Sequence, residues 1–269
     1  MSKSGFVNIL LVLAVIVLAI LLSGGISPKK QLPPNENAKE GIIDQSSLPI
    51  PGSKKSLQLG TFKFKECAGT ITLDLLLDRS GSMNRDTPQG VKKIERLKEA
   101  VLALTSRLSD DSIIGIQSFS APQGQDSIRA DIPIGYYKDV GTQIPNAVSA
   151  LQANGSTPTH NALAFSRDRL AEAIPNFPNR KFNFILISDG KPVPDEQDPR
   201  LFNPNPADQI KALGVTIYTL GIYDLNQLDK PQLAELLKSI ASKPENYFSA
   251  ETADDTTKLL SAITDRICQ

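Results

Sequence analysis

The sequence predicts an open, doubly wound α/β fold: a mostly parallel sheet of about six strands, one short antiparallel edge strand, and helices on both faces. Three observations predict it. Short apolar runs alternate with segments of helical period from residue 70 to the C-terminal end, which implies βαβ units. Two of the runs, Ile71–Leu77 and Phe182–Ile187, are too uniformly apolar to have one face in water, as expected of strands covered on both sides. The composition supplies an aliphatic core: 40% of residues are hydrophobic, only 6% are aromatic and Trp is absent.

Taken in order, Thr70–Asp78 is the first central strand. Val91, Ile94, Leu97, Val101, Leu104 and Leu108 follow at helical spacing. Ser112–Ser120 is the second strand and Ser127–Ile134 the short edge strand. Ile144–Leu151 and Asn161–Ala173 carry helical periods, and Lys181–Ser188 is the third long strand. Pro206–Leu213 is a helix closed by Gly214, a favoured C-terminal cap, before the strand Val215–Gly221. Leu233–Ile240 is helical, Tyr247-Phe248 a last short strand, and Thr252 the expected cap of a terminal helix through Ile267. No internal repeat occurs.

The N-terminal part differs in character. Ile9–Leu22 is an unbroken apolar run whose length lies between a signal-peptide core and a minimal membrane-spanning helix. Residues 1–24 are read as an uncleaved anchor, or as a signal sequence if cleaved, with the remainder outside the cytoplasm. Residues 25–57 hold Pro28, Pro33, Pro34, Pro49 and Pro51 among polar side chains and are read as a linker. A coil of that length spans about 30 Å, enough to lift a domain from a membrane surface. Thr61–Lys65 alternates at period two, as an edge strand entering the domain at 58–269 would.

Charge and composition exclude several functions. The 29 basic and 29 acidic residues balance, with no basic cluster interleaved with aromatics, so nucleic-acid binding has no electrostatic support. A single His rules out a clustered imidazole metal site. No Gly-x-x-x-x-Gly-Lys-Ser/Thr loop is present, so any nucleotide hydrolysis belongs to another chain. A triad of Ser80 or Ser82 with His160 and an Asp is conceivable. No Gly-x-Ser-x-Gly elbow supports it, and the chain is read as a non-enzyme.

The chemistry concentrates in three loops. Asp78-Arg79-Ser80-Gly81-Ser82 leaves the first strand, Gly155-Ser156-Thr157-Pro158-Thr159 precedes a helix, and Ser188-Asp189-Gly190 ends another strand. Carboxylates and hydroxyls are hard oxygen donors, the ligands preferred by Mg²⁺ and similar ions. In an open α/β sheet such loops at the carboxyl ends of strands share one crevice. Taken alone, Asp78 reads as a turn cap. With the other two segments in order, the set resembles the metal-ion-dependent adhesion site of von Willebrand factor type A domains, over roughly residues 58–269.

That resemblance implies one divalent cation, Mg²⁺ or Mn²⁺ rather than Ca²⁺, held by Asp78, Ser80, Ser82, Thr157 and Asp189. It implies a protein partner whose Asp or Glu carboxylate completes the shell, as in adhesion at a cell surface. The alternative is a subunit of a membrane or pilus-like assembly, or of a complex with a separate ATPase. In this family the chain ends lie together, opposite the metal. Cys67 and Cys268 are therefore expected to pair in an oxidising compartment. The chain-entropy model gives such a closure at most about 5 kcal/mol. His160 is expected to face solvent. Asp195, Glu196 and Asp198 belong to a solvated loop that emerges on the metal face. Asp224-Leu225-Asn226 resembles the opening of a calcium loop but lacks the Gly and terminal Glu of an EF-hand.

Overall fold

The first central strand is buried along its whole length, and this fixes the architecture. β1 (Thr72–Asp78) lies between two parallel neighbours, β2 (Ile113–Ser120) and β4 (Asn183–Ser188), with Leu75 opposite both Ile116 and Ile185. The computed structural model describes residues 71–223 and 227–267, together with short strand segments at 40–42, 48–49, 56–57 and 63–65. β3 (Ser127–Tyr136), β5 (Thr216–Ile222) and β6 (Tyr247–Ala250) complete a six-stranded sheet of order β6-β5-β4-β1-β2-β3. All its neighbours are parallel except β2 and β3.

Alternation along β1 sends Leu73, Leu75 and Leu77 to one face and Leu76 to the other. The first face packs against α1 (Lys93–Thr105) through Leu97, Val101 and Leu104. It is also covered by Val148 of α2 (Ile144–Ser149) and by Leu260 and Ile263 of α6 (Thr256–Ile267). The second face packs against Leu163 and Leu170 of α3 (Thr159–Ala173), Ile210 of α4 (Pro206–Ala212), and Leu233 and Leu237 of α5 (Lys230–Ile240). Two apolar layers sandwich the sheet, so its strands carry apolar residues at consecutive positions.

The edge strand β3 is longer than expected, ten residues instead of a short segment ending at Ile134. Pro133 lies inside the expected strand, and Gly135 just past its end. An edge strand tolerates Pro, and the register shifts between Ile114 and Gln117 of β2 absorb the irregularity. Lys63–Lys65 is a strand, as its alternation predicts, but pairs antiparallel with Glu40–Ile42 and not with the six-stranded sheet. Leu48–Pro49 pairs with Ser56–Leu57 within the stretch expected to be a linker. Among the described residues no helix is long and apolar enough to cross a membrane. The apolar run 9–22, Cys67, Cys268 and Asp224-Leu225-Asn226 lie outside the described residues.

Candidate functional site

Asp78 is the last residue of β1 and Ser188 the last of β4, so Asp189 leaves the sheet beside Asp78. Asp78 is fully buried. Its Oδ1 accepts the Ser80 backbone N–H at 2.7 Å and its Oδ2 accepts the Ser188 hydroxyl at 2.6 Å. The first bond folds the chain tightly after the strand and leads into a short 3-10 turn, Gly81–Asn84. Between Asp78 and Ser80, Arg79 points the other way. Its Nε donates to Ser118 Oγ at 3.2 Å and its Nη2 to the Ser127 carbonyl at 2.8 Å, which anchors the loop to β2 and β3.

The second loop is stitched to the first by two backbone bonds, Gly81 N–H to the Gly155 carbonyl at 2.8 Å and Asn154 N–H to the Arg79 carbonyl at 2.9 Å. Ser156 pairs with Ala121 just past β2. Gly155 has φ +72°, and a Cβ there would lie 2.3 Å from the Ala121 carbonyl carbon, so this close approach requires glycine. Thr157, two residues on, is buried.

The side chains converge. Ser80 Oγ is 3.0 Å from Ser82 Oγ, and Ser82 Oγ donates to Asp189 Oδ1 at 2.6 Å. Ser82 Oγ and Thr157 Oγ1 lie 3.5 and 3.6 Å from the point where Gly190 would carry a Cβ. The five residues named from the sequence thus lie in neighbouring loops on the carboxyl side of the sheet. Ser80, Ser82 and Asp189 are in side-chain contact, Asp78 is bound to the Ser80 backbone, and Thr157 borders Gly190 as Ser82 does. The site contains two carboxylates beside three neutral hydroxyls. Among the described residues no group of three or more His, Cys, Asp or Glu side chains is placed to hold a metal ion. A cation here would be bound through hydroxyls and water as well as carboxylate, the mode of a hard divalent ion.

The electrostatics fit such an ion. Burial, and then the neighbouring Asp189 charge, push the Asp78 carboxyl up to about 7. Two acidic groups are held together at a cost that a dication would relieve.

Two contributors were not foreseen. Ser188 orients Asp78, as described. Lys93, at the start of α1, is 1% exposed and donates from Nζ to Asp189 Oδ2 at 2.7 Å. A signal for it existed: Lys93 lies four residues before Leu97, on the stripe continued by Val101 and Leu104, where a solvated lysine would not be placed.

His160 does not simply face solvent, as had been expected. Its ring stacks on Phe202 at 3.3 Å between centroids and 14° between planes, and burial, then Arg167, lowers its pKa. His160 Nδ1 is buried without a hydrogen-bond partner. The stack holds the loop 191–205 against α3. That loop does emerge at the site, because Val193 N–H donates to the Thr157 carbonyl at 3.1 Å. Asp198 caps the turn Pro199–Leu201 and binds Arg200, while Asp195 lies 3.8 Å from Lys191. Val193, Leu201 and Phe202 of this loop expose large apolar side chains.

The sequence profile of the von Willebrand factor type A domain matches residues 73–262. No curated protein matches the chain. Among solved structures, proximal thread matrix protein 1 from the mussel byssus is similar at 20% identity with a TM-score of 0.58, covering 74% of this chain and 47% of that one. A further structure of that protein, at 19% identity and a TM-score of 0.55, covers 74% of this chain and 48% of that one and has a zinc-occupied MIDAS motif. The pilus adhesin SpaC from Lactobacillus rhamnosus GG is similar at 18% identity with a TM-score of 0.59, covering 74% and 30%. The PilB minor pilin from Streptococcus sanguinis is similar at 13% identity with a TM-score of 0.53, covering 74% and 61%. The matched region thus spans less than two thirds of each of these proteins, about half or less in the first two.

Proposed function

Since the chain belongs to the von Willebrand factor type A domain family, we propose that its site binds one divalent cation, Mg²⁺ or Mn²⁺, and through it a carboxylate of a protein partner. Ser80, Ser82 and Thr157 supply hydroxyls, while Asp78 and Asp189 act partly through water. The observation that carries this reading is the contact of Ser82 with Ser80 and Asp189, with the Ser82 and Thr157 hydroxyls both bordering Gly190, across three loops. Two carboxylates would balance a dication, but the Lys93 ammonium already offsets one of them, and five protein donors leave an octahedral ion one position short. An acidic side chain of a partner meets both needs. The zinc-occupied MIDAS of the mussel protein and the pilus adhesin among similar folds support this adhesion-type reading over catalysis.

In the proposed arrangement residues 1–24 anchor the chain in a membrane. The stretch 25–57 spaces the binding domain, 58–269, away from it on the extracytoplasmic side, where Cys67 and Cys268 form a disulfide. The minor pilin among the similar structures favours a second reading, a subunit of a pilus-like assembly that uses the same cation. Calorimetric titration of the EDTA-stripped protein tests the shared element. The wild type should bind one Mn²⁺, and Asp189→Ala should weaken it at least about tenfold, because a charged ligand is removed from a buried site. Equal affinity in both proteins would remove Asp189 from the site.

A further inference from the structure

Lys93 is buried at the wrong end of a helix for a cation. It occupies the first position of α1, where unpaired backbone N–H groups disfavour positive charge, and it is almost fully shielded from water. Its carboxylate partner, Asp189, is equally buried. The backbone fixes the lysine there as well, because Lys93 N–H donates to the Arg85 carbonyl at 3.0 Å, directly after the turn that carries Ser82. Asp189 is therefore gripped on both sides: Oδ1 accepts from Ser82 and Oδ2 from the Lys93 ammonium. The Oδ1 side is the one bonded to Ser82, whose hydroxyl also touches that of Ser80.

From this geometry we propose that Lys93 is a built-in countercation that weakens the site's grip on its metal ion and strengthens the loaded site's grip on an anionic ligand. The inference rests on the cation-bridged reading above. Asp78 and Asp189 together carry two negative charges, and Lys93 cancels one. A dication then leaves the loaded site with one net positive charge, which a single partner carboxylate neutralises. Without the lysine the loaded site would already be neutral, and an arriving carboxylate would make it negative. The same ammonium repels the incoming ion, so the two affinities respond to it with opposite sign. Inside a protein a unit charge acts over several ångströms with little screening. Lys93 is a positioning and charge-setting residue; it does not itself contact the partner.

The test uses EDTA-stripped full-length protein as wild type, Lys93→Met and Lys93→Arg. Mn²⁺ affinity is measured by calorimetry. Acetate is then titrated into the Mn²⁺-saturated proteins, and its arrival is read from the water-proton relaxation of the bound Mn²⁺. Lys93→Met should bind Mn²⁺ about tenfold tighter and acetate about fivefold more weakly, while Lys93→Arg stays within about threefold of wild type for both. A merely structural lysine would, on removal, weaken both affinities together. That result, or unchanged Mn²⁺ binding in Lys93→Met, overturns the proposal and leaves the cation-bridged reading standing. Failure of the wild type to bind Mn²⁺ overturns both.

Loss of the ammonium leaves two buried carboxylates facing each other, so the variant's thermal unfolding is recorded with and without Mn²⁺. The ion should raise its midpoint more than it raises that of the wild type, by mass action on a tighter site. Should Lys93→Met stay unfolded even with Mn²⁺, Lys93→Gln is measured in the same way. A rise no larger than the wild type's in whichever variant folds also overturns the proposal.

Discussion

Replacing Asp78 by asparagine is expected to destroy cation binding and, at neutral pH, to stabilise the ion-free fold. Asp78 is fully buried, and burial plus the Asp189 charge raise it from its ordinary 3.8 to about 7. The folded chain therefore holds a proton that the unfolded chain releases between about pH 4 and pH 7, and the stability of the ion-free protein falls as pH rises through that window. The loss is on the order of 2–4 kcal/mol by pH 7. Asparagine keeps an oxygen for the Ser80 N–H and offers an N–H to Ser188, so the local bonds survive without the charge. Asp74, which burial pushes up to about 6 against the pull of Arg169 and Gln117, retains a smaller fall of the same sign between about pH 4 and 6. Urea unfolding in EDTA across pH 4–8 should thus show a steep decline for the wild type and a shallow one for Asp78→Asn. Mn²⁺ affinity in the variant should drop about a hundredfold or more. A variant less stable than wild type in EDTA at pH 7 would contradict the assigned repulsion.

Gly155→Ala should be the most damaging single-methyl change near the site. A Cβ at this position would lie 2.3–2.4 Å from the Ala121 carbonyl and Pro122 N, all backbone atoms, and the residue sits at φ +72°. The left-handed conformation costs about 1–2 kcal/mol by itself, and the clash forces the two loops apart. A total of about 3 kcal/mol or more is expected. Gly214→Ala is the control, with φ +81° and nothing within 4 Å of the new methyl, and it should lose only about 1–2 kcal/mol. The site should also suffer, because the Gly155 carbonyl holds Gly81 and the loop positions Thr157. Chemical denaturation and Mn²⁺ titration on both variants check this. Equal losses in the two would show that the loops relax freely.

Much of this was legible in the sequence because it follows from periodicity and from strand ends. The apolar run before Asp78 could satisfy its backbone and side chains only as a strand covered on both faces, and β1 is such a strand. Asp78 and Asp189 were placed together because strand ends in a parallel sheet share one side. What was missed depends on contacts between distant segments. The partner of Lys93 is 96 residues away, so its place on the apolar stripe marked an anomaly without naming a cause. His160 meets Phe202 across a Pro-rich loop that no periodicity describes. The length of β3 depends on irregular register in its neighbour, which absorbs Pro133 and Gly135.

The claim that a bound cation bridges to a partner, and is not simply a structural staple, is tested most directly by two curves on the same samples. Thermal unfolding and the binding of a short acidic peptide are recorded with Mn²⁺ and with EDTA. The aliphatic sheet core supplies most of the stability. Removing the ion should therefore abolish peptide binding while the unfolding midpoint moves by only a few degrees, and Thr157→Ala should weaken the peptide more than the fold. A collapse of the midpoint by tens of degrees in EDTA, with binding per folded molecule unchanged, would contradict the account.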